Sequence, residues 1–357
     1  MNTPRQRFQN TQRVSPPGVT AVEIRDPTVA DEDIGVLTRD LLQLEAKPLR
    51  ARQVIVRLTD SMVLFQTTNL RVRAHTELHS GLLAYVVFGP RAKGTLNGLP
   101  VRPNLMLAAE SGIRVEFVAE AGYESVSVLL SPAVLVSHLT GRQRRDNLRA
   151  PHGIEVFHTE EVHARALFDW GKRLAYTAAR RPELFNDRKE TILAAQTELL
   201  EMLLAALDAT TVPRHTLRDR TRQNYSRIIK LAEDYALAHV GDRLYNVTDL
   251  CVASGVSERT LEHAFRKVMG MSPVAYLTRL RLHRVRKALR MATHRSTTVS
   301  AQALNWGFWH FGDFSRAYKD CFGELPSETL RQKSAETSSS PKARYPLQEA
   351  KGGRPDD

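Results

Sequence analysis

The sequence predicts an α+β chain in two parts: a β-rich N-terminal module with helices, then an all-α C-terminal part built as a tandem helix-turn-helix. Three observations carry this. Short apolar, β-branched segments crowd the first third of the chain, separated by Gly, Pro, Asn and Asp. Two longer stretches with helical apolar stripes follow. Beyond residue 246 one layout occurs twice, a short apolar helix, a glycine turn and a longer basic amphipathic helix.

Residues 1–18 are rich in Pro, Gln and Arg and are expected to be disordered. From Val22 to Leu130 the segments ARQVIVRLTD, SMVLFQTTNLRVRA, LLAYVVFGP, LMLAAE, GIRVEFVAE and ESVSVLL read as strands. Turn residues such as Asp60, Gly89, Asn97, Gly98, Pro103, Gly112 and Gly122 separate them, so the module reads as a small barrel or sandwich. Ser131 and Pro132 start a helix, with proline at its first position. Helices are expected over about 160–181 and 187–207. In the second of these Ile192, Leu193, Gln196, Leu199, Leu200, Leu203 and Leu207 share one face. That stripe either packs on its own barrel or pairs with the same helix of a second subunit, and Leu199, Leu200 and Leu203 are the candidate dimer contacts. The polar, basic segment 210–222 reads as a linker between a domain at 19–209 and one at 223–333. The tail 334–357 is poor in apolar residues and expected to be disordered.

The first repeat covers residues 247–273 and the second 299–327. In the first, residues 247–254 form the supporting helix, Gly255 the turn, and Ser257 the cap of the longer helix. Leu261, Phe265 and Val268 fall on its inner face, and Glu258, Arg259, Glu262, His263 and Arg266 on the other. A helix lying in the DNA major groove needs this division. Arg259, Glu262 and His263 are the candidate base readers, flanked by Ser257 and Thr260. An Arg grips guanine O6 and N7, and a Glu accepts from cytosine N4. Arg266 and Lys267, farther along, are candidate phosphate contacts. In the second repeat Trp306, Phe308, Phe314, Tyr318 and Phe322 recur at core spacing. His310, Gly312, Asp313, Arg316 and Lys319 are left as its candidate DNA contacts, with Asp313 either accepting from cytosine or complementing the helix start.

The net charge of +12 over 357 residues is unevenly placed. Residues 215–333 hold 20 Lys and Arg against 11 Asp and Glu, whereas residues 1–214 hold 27 against 24. Positive charge concentrated on the repeats points to a polyanion, because neutralised phosphates release counterions. No apolar run approaches the roughly 18–20 residues of a membrane span, and the N-terminus lacks the apolar core of a signal peptide, so a cytoplasmic location is expected. Two cysteines, Cys251 and Cys321, are too few for a disulfide framework or zinc finger and read as packing thiols. No P-loop, nucleophile elbow or dinucleotide fingerprint occurs, so neither catalysis nor a cofactor is expected. His75, Glu77 and His79 alternate as metal ligands on a strand would, but no later histidine in the strand region completes a set. They read as a polar strand face, and no metal is expected.

The repeats resemble the AraC/XylS family of bacterial regulators over residues 224–332. The matching features are Gly270, Ser272, Pro273, Tyr276, Arg281, Leu282, Gly307, Phe308, the Phe314-Ser315-Arg316 run, Lys319, Phe322 and Gly323. Within the family, the segment WGFWHFGDFSRAYKDCFGELPSETL is similar to the ethanolamine-utilisation regulator branch. The resemblance implies two recognition helices in successive major-groove turns of promoter DNA, about 34–36 Å apart. It also implies a cupin-like or related β module that binds a small-molecule effector and forms a homodimer. Activation of transcription, and with it contact to RNA polymerase, is the mode implied. Two alternatives stand beside it: a regulator needing no ligand, and a metal-binding cupin-type sensor or enzyme fused to a DNA-binding domain.

Overall fold

The computed structural model describes residues 18–28, 36–79, 81–140, 151–211, 217–239, 246–292 and 296–331. The ends expected to be disordered lie outside these apart from Gly18, and so does part of the expected linker, residues 212–216. In chain order the N-terminal strands are β1 (Val19–Ile24), β2 (Leu37–Gln43), β3 (Ala51–Arg57), β4 (Ser61–Thr68), β5 (Val72–Leu78) and β6 (Leu83–Phe88). Next come β7 (Gly94–Leu96), β8 (Leu99–Pro100), β9 (Leu105–Glu110), β10 (Arg114–Ala119) and β11 (Tyr123–Leu130). Helix α1 (Pro132–Thr140), β12 (Ile154–His158), α2 (Glu161–Arg180), α3 (Glu183–Asn186) and α4 (Lys189–Asp208) complete the N-terminal half. The C-terminal half is all helix: α5 (Leu217–Ala238), α6 (Val247–Ser254), α7 (Glu258–Val268), α8 (Pro273–Met291), α9 (Val299–Asn305) and α10 (Phe311–Phe322).

Among the described residues the strands form two antiparallel sheets, one ordered β1-β3-β4-β11-β6-β9-β12 and the other β2-β5-β10-β7-β8. Their inner faces oppose each other. Because side chains alternate along a strand, Ser125 and Ser127 of β11 face the space between the sheets while Val126, Val128 and Leu130 face outward. The outward residues form a large core with α2 and α4, including Leu167, Phe168, Leu199 and Leu203. Close approach of α2 depends on Gly171, where an added Cβ would lie 2.6 Å from a Val126 methyl.

Apart from Leu193, which is 59% exposed, the α4 stripe turns to its own chain. Leu199 and Leu203 are fully buried and Leu200 is 6% exposed, so these three are structural core and offer no surface to a second subunit. Gln196 joins them by accepting a hydrogen bond from the Ser61 hydroxyl at 2.6 Å.

Other expectations shift for readable reasons. Strands β1, β2, β7, β8 and β12 fall outside the quoted strand segments; β2 carries Arg39 and Asp40 in its middle, and β12 returns to the sheet after α1. The stretch 61–74 is two strands, β4 and β5, split by a turn at Asn69. Helix α5 begins at Leu217, so residues 217–222 of the expected linker are helical.

Candidate nucleic-acid interface and the cavity behind it

The first helix-turn-helix unit comprises α6 and α7. Asn246 caps α6 through a reciprocal capping box with Asp249, and Ser257 caps α7 by accepting from the Thr260 backbone N–H. Leu261, Ala264, Phe265 and Val268 of α7 are buried against Ile228 and Ile229 of α5. Arg259, His263, Arg266 and Lys267 are exposed on the opposite face, as their spacing requires. Glu262 accepts from Arg266 at 2.7 Å, and the His263 ring meets Tyr225 edge-on at 5.4 Å, so both are held in place.

The second unit comprises α9, capped by Thr298, and α10, which ends on Gly323. Phe314 and Tyr318 are buried, with Trp306, Phe308 and Phe322 packed around them, confirming the aromatic residues as core. His310, Gly312, Asp313, Arg316 and Lys319 are exposed. Asp313 and Arg316 lie 3.9 Å apart as an exposed pair. Sequence reasoning did not single out Trp309 and Phe311, which are 62% and 42% exposed at the start of α10. Their signal was present: both stand off the helical spacing of the core aromatics.

The two units hang on α8, capped by Ser272 with Pro273 at its first position. Tyr276, Leu277 and Leu280 enter the first unit's core, and Leu282, Val285 and Leu289 the second's.

Charged contacts join these helices to the smaller sheet. On its outer face Asp40, His75 and Glu116 are neighbours in register across β2, β5 and β10. Arg73, almost fully buried, pairs with Glu116 at 2.8 Å and donates to Glu233 of α5 at 2.6 Å. Burial alone would raise the Glu116 carboxyl, but Arg73 and His75 outweigh it and hold it at about 2. Asp40 meets Arg284 of α8 at 3.2 Å. Asp26, just beyond β1, takes Arg286 at 2.8 Å and Arg290 at 2.9 Å. Its carboxyl also sits at about 2, the burial that would raise it being overcome by Arg286 and Thr28. The Asn97-Gly98 tip between β7 and β8 abuts α5, where a Cβ on Gly98 would lie 2.6 Å from the Arg222 carbonyl oxygen.

This setting disposes of His75, Glu77 and His79 as a metal set. His75 is hydrogen-bonded to the guanidinium groups of Arg73 and Arg114, which repel a cation, and His79 instead bonds the Thr38 hydroxyl at 3.0 Å. Cys321 is buried, which raises its thiol, and Cys251 is partly exposed.

Between the sheets lies a cavity of about 110 Å³. Most of its wall is apolar, with Leu37, Leu64, Val86, Leu107 and Phe117 among the lining residues. Arg39, Gln53, Gln66, Thr76 and Ser125 supply polar groups. Arg39 is 8% exposed and donates to Gln53 Oε1 at 2.8 Å.

Among the described residues no helix is long and apolar enough to cross a membrane. The exposed basic helices on capped, separately cored units define a DNA-binding helix-turn-helix protein with an attached β module. A family model described as a helix-turn-helix domain matches residues 250–332. The probable thc operon regulatory protein of Rhodococcus erythropolis is 39% identical over 104 residues, 29% of this chain and 31% of that protein. The XylDLEGF operon transcriptional activator 3 of Pseudomonas putida is 31% identical over 137 residues, 38% of each. A solved structure, a probable AraC family transcriptional regulator from Rhodopseudomonas palustris CGA009, is 36% identical, covering 30% of this chain and 96% of that one, with a TM-score of 0.27. Residues 250–332 carry a helix-turn-helix domain, and over this region the chain is similar to these transcriptional regulators. It spans about a third of the length of these two curated relatives.

Proposed function

We propose that the protein is a cytoplasmic, effector-responsive regulator that activates transcription by reading promoter DNA with α7 and α10 and by contacting RNA polymerase. One observation carries the responsive part. Strands β2, β5 and β10 each turn one face to the cavity and the other to the DNA-binding half. On β2 Arg39 lines the cavity and Asp40 holds Arg284; on β5 Thr76 lines it and Arg73 holds Glu233; on β10 Phe117 lines it and Val118 enters the first unit's core. A ligand that shifts these strands therefore shifts the seat of the recognition helices, a coupling that needs only a difference in its contacts between the two arrangements. Within the AraC/XylS family, we place the second unit nearest the ethanolamine-utilisation branch on residues 306–330.

Arg259 and Arg316 are the base readers in this scheme, with Ser257, Thr260, Glu262, His263, His310, Gly312 and Asp313 around them. Arg266, Lys267 and Lys319 position the helices on phosphates, and Trp309 and Phe311 meet thymine methyl groups. Enrichment of a random duplex pool by the full chain is expected to return two half-sites about 10–10.5 base pairs apart. Arg259→Ala or Arg316→Ala is expected to weaken binding to the enriched site by about 1–3 kcal/mol while barely changing binding to random DNA. A pool that stays random would sink the reading; equal losses on both DNAs would reassign the two arginines to phosphates.

A further inference from the structure

We infer that Arg71 and Gln43 clamp the C-terminal ends of both recognition helices to one point of the barrel and so fix the half-site spacing that this protein accepts. The inference rests on the reading above that α7 and α10 read DNA. Strand register sets the two residues beside each other. Gln43, the last residue of β2, lies opposite Val72, the first of β5, and the Leu44 N–H donates to the Arg71 carbonyl at 2.9 Å. One loop seats both. The Glu45 carboxylate accepts from the Arg71 backbone N–H at 3.0 Å, and the Glu45 carbonyl accepts from Gln43 Nε2 at 2.7 Å.

From there each side chain reaches a different helix. Arg71 Nη2 donates to the carbonyl of Val268, the last residue of α7, at 2.7 Å and pairs with Glu120 at 3.1 Å. Gln43 Nε2 donates to the carbonyl of Cys321, in the last turn of α10, at 3.0 Å. Carbonyls of a last turn find no N–H within their own helix, and the helix dipole favours a cation beside them. The fit at α7 is close: Gly270 has a φ of +74°, and an added Cβ there would run into Arg71 Nη1. Gln43 is 2% exposed, so its contact with α10 is shielded from water. Helix α8 links the two units once, and the clamp ties the ends of their recognition helices a second time. A pair of helices held this way accepts half-sites at one separation and resists others.

The test places the two half-sites returned by enrichment at centre-to-centre spacings of about 8 to 13 base pairs and follows binding of the full chain by fluorescence anisotropy. The wild-type chain is expected to prefer one spacing sharply. Arg71→Met keeps the stem of the side chain and removes its donors. It is expected to cut the spacing preference by about fivefold or more while leaving affinity for a duplex with a single half-site unchanged. Arg71→Lys, which keeps a charge at the end of α7, is expected to restore part of the preference. Gln43→Leu is expected to act as Arg71→Met does; should this buried variant fail to fold, Arg71→Met decides alone. A spacing profile unchanged by Arg71→Met, an equal loss on every duplex, or a wild-type chain indifferent to spacing overturns the proposal. Half-site recognition that persists in such a chain leaves the reading of DNA by α7 and α10 standing. A pool that yields no half-sites removes that reading and the clamp with it.

Discussion

The first helix-turn-helix unit folds around a core that continues into the barrel, whereas the second folds around a core of its own. Leu42, Leu44 and Val118 of the smaller sheet share one cluster with Phe265, Val268 and Tyr276. Among the described residues the cluster of Phe314, Tyr318 and Cys321 contains no barrel residue. Polar contacts hold the second unit to the barrel instead, through Arg286 and Arg290 on Asp26 and the Gln43 side chain on the Cys321 carbonyl at 3.0 Å. The difference teaches that the barrel reaches one unit by packing together with the buried Arg73–Glu233 pair, and the other by polar contacts. Packing is indifferent to pH and salt, and ion pairs are not.

The sharpest way to break this comparison is at Glu233. Glu233→Ala leaves Arg73 buried with one carboxylate fewer and is expected to lower stability by about 3–5 kcal/mol. Hydrogen exchange should then rise in α7 well before α10; equal loss of protection in both would show that the units are not separately attached. Leu42→Ala removes a buried side chain from the shared core and is expected to lower stability by about 2–4 kcal/mol, read by urea unfolding, with the amides of α10 again spared.

Acid acts on the other attachment. His283 of α8 is 5% exposed and meets the Phe322 ring at 5.0 Å, and among the described residues neither ring nitrogen has a hydrogen-bond partner. Burial, with Arg279 and Arg286 adding to it, lowers its pKa from 6.5 to about 3. The unfolded chain binds this proton first, so stability falls as pH drops below 6.5 and goes on falling to about 3. At pH 5 the loss from this one group is about 2 kcal/mol, and His283→Leu should remove that slope from a plot of stability against pH. Asp26 has the depressed pKa of a paired carboxylate, so its contribution is present above 3.8 and is lost only as pH falls towards about 2. A slope between pH 6.5 and 5 that persists in the His283 variant would contradict this order.

The smallest effect on folding is expected at Arg266, whose pairing with Glu262 is exposed. Arg266→Ala should change stability by less than about 0.5 kcal/mol. The same change should reduce the salt dependence of DNA binding by about one unit of slope. An unchanged slope would remove Arg266 from the phosphate contacts.

How much of this was legible depended on whether a residue's partner was near in sequence. The two faces of α7 follow from helical period alone, and Ser257 announces the helix start, so the exposed basic face could be read directly. The α4 stripe was equally plain, but periodicity says only that Leu199 and Leu203 are covered, not by what. Strand β2 was hidden because Arg39 and Asp40 look like loop residues until their partners are known. One partner, Gln53, comes 14 residues later across the cavity, and the other, Arg284, comes 244 residues later. The polar rung of Gln53, Gln66 and Ser125 likewise exists only once three strands are aligned.

Helix α8 gives its first turns to one core and its last turns to the other, so the angle between the two units is set by helical phase. Its 19 residues span about 28 Å, and each residue turns the axis by about 100°. One residue inserted between Leu280 and Leu282 would advance the second unit by only about 1.5 Å yet swing α10 round to another side of the rod. The binding site on DNA would then have to change its face, not merely its length, which makes α8 the ruler against which operator geometry is measured.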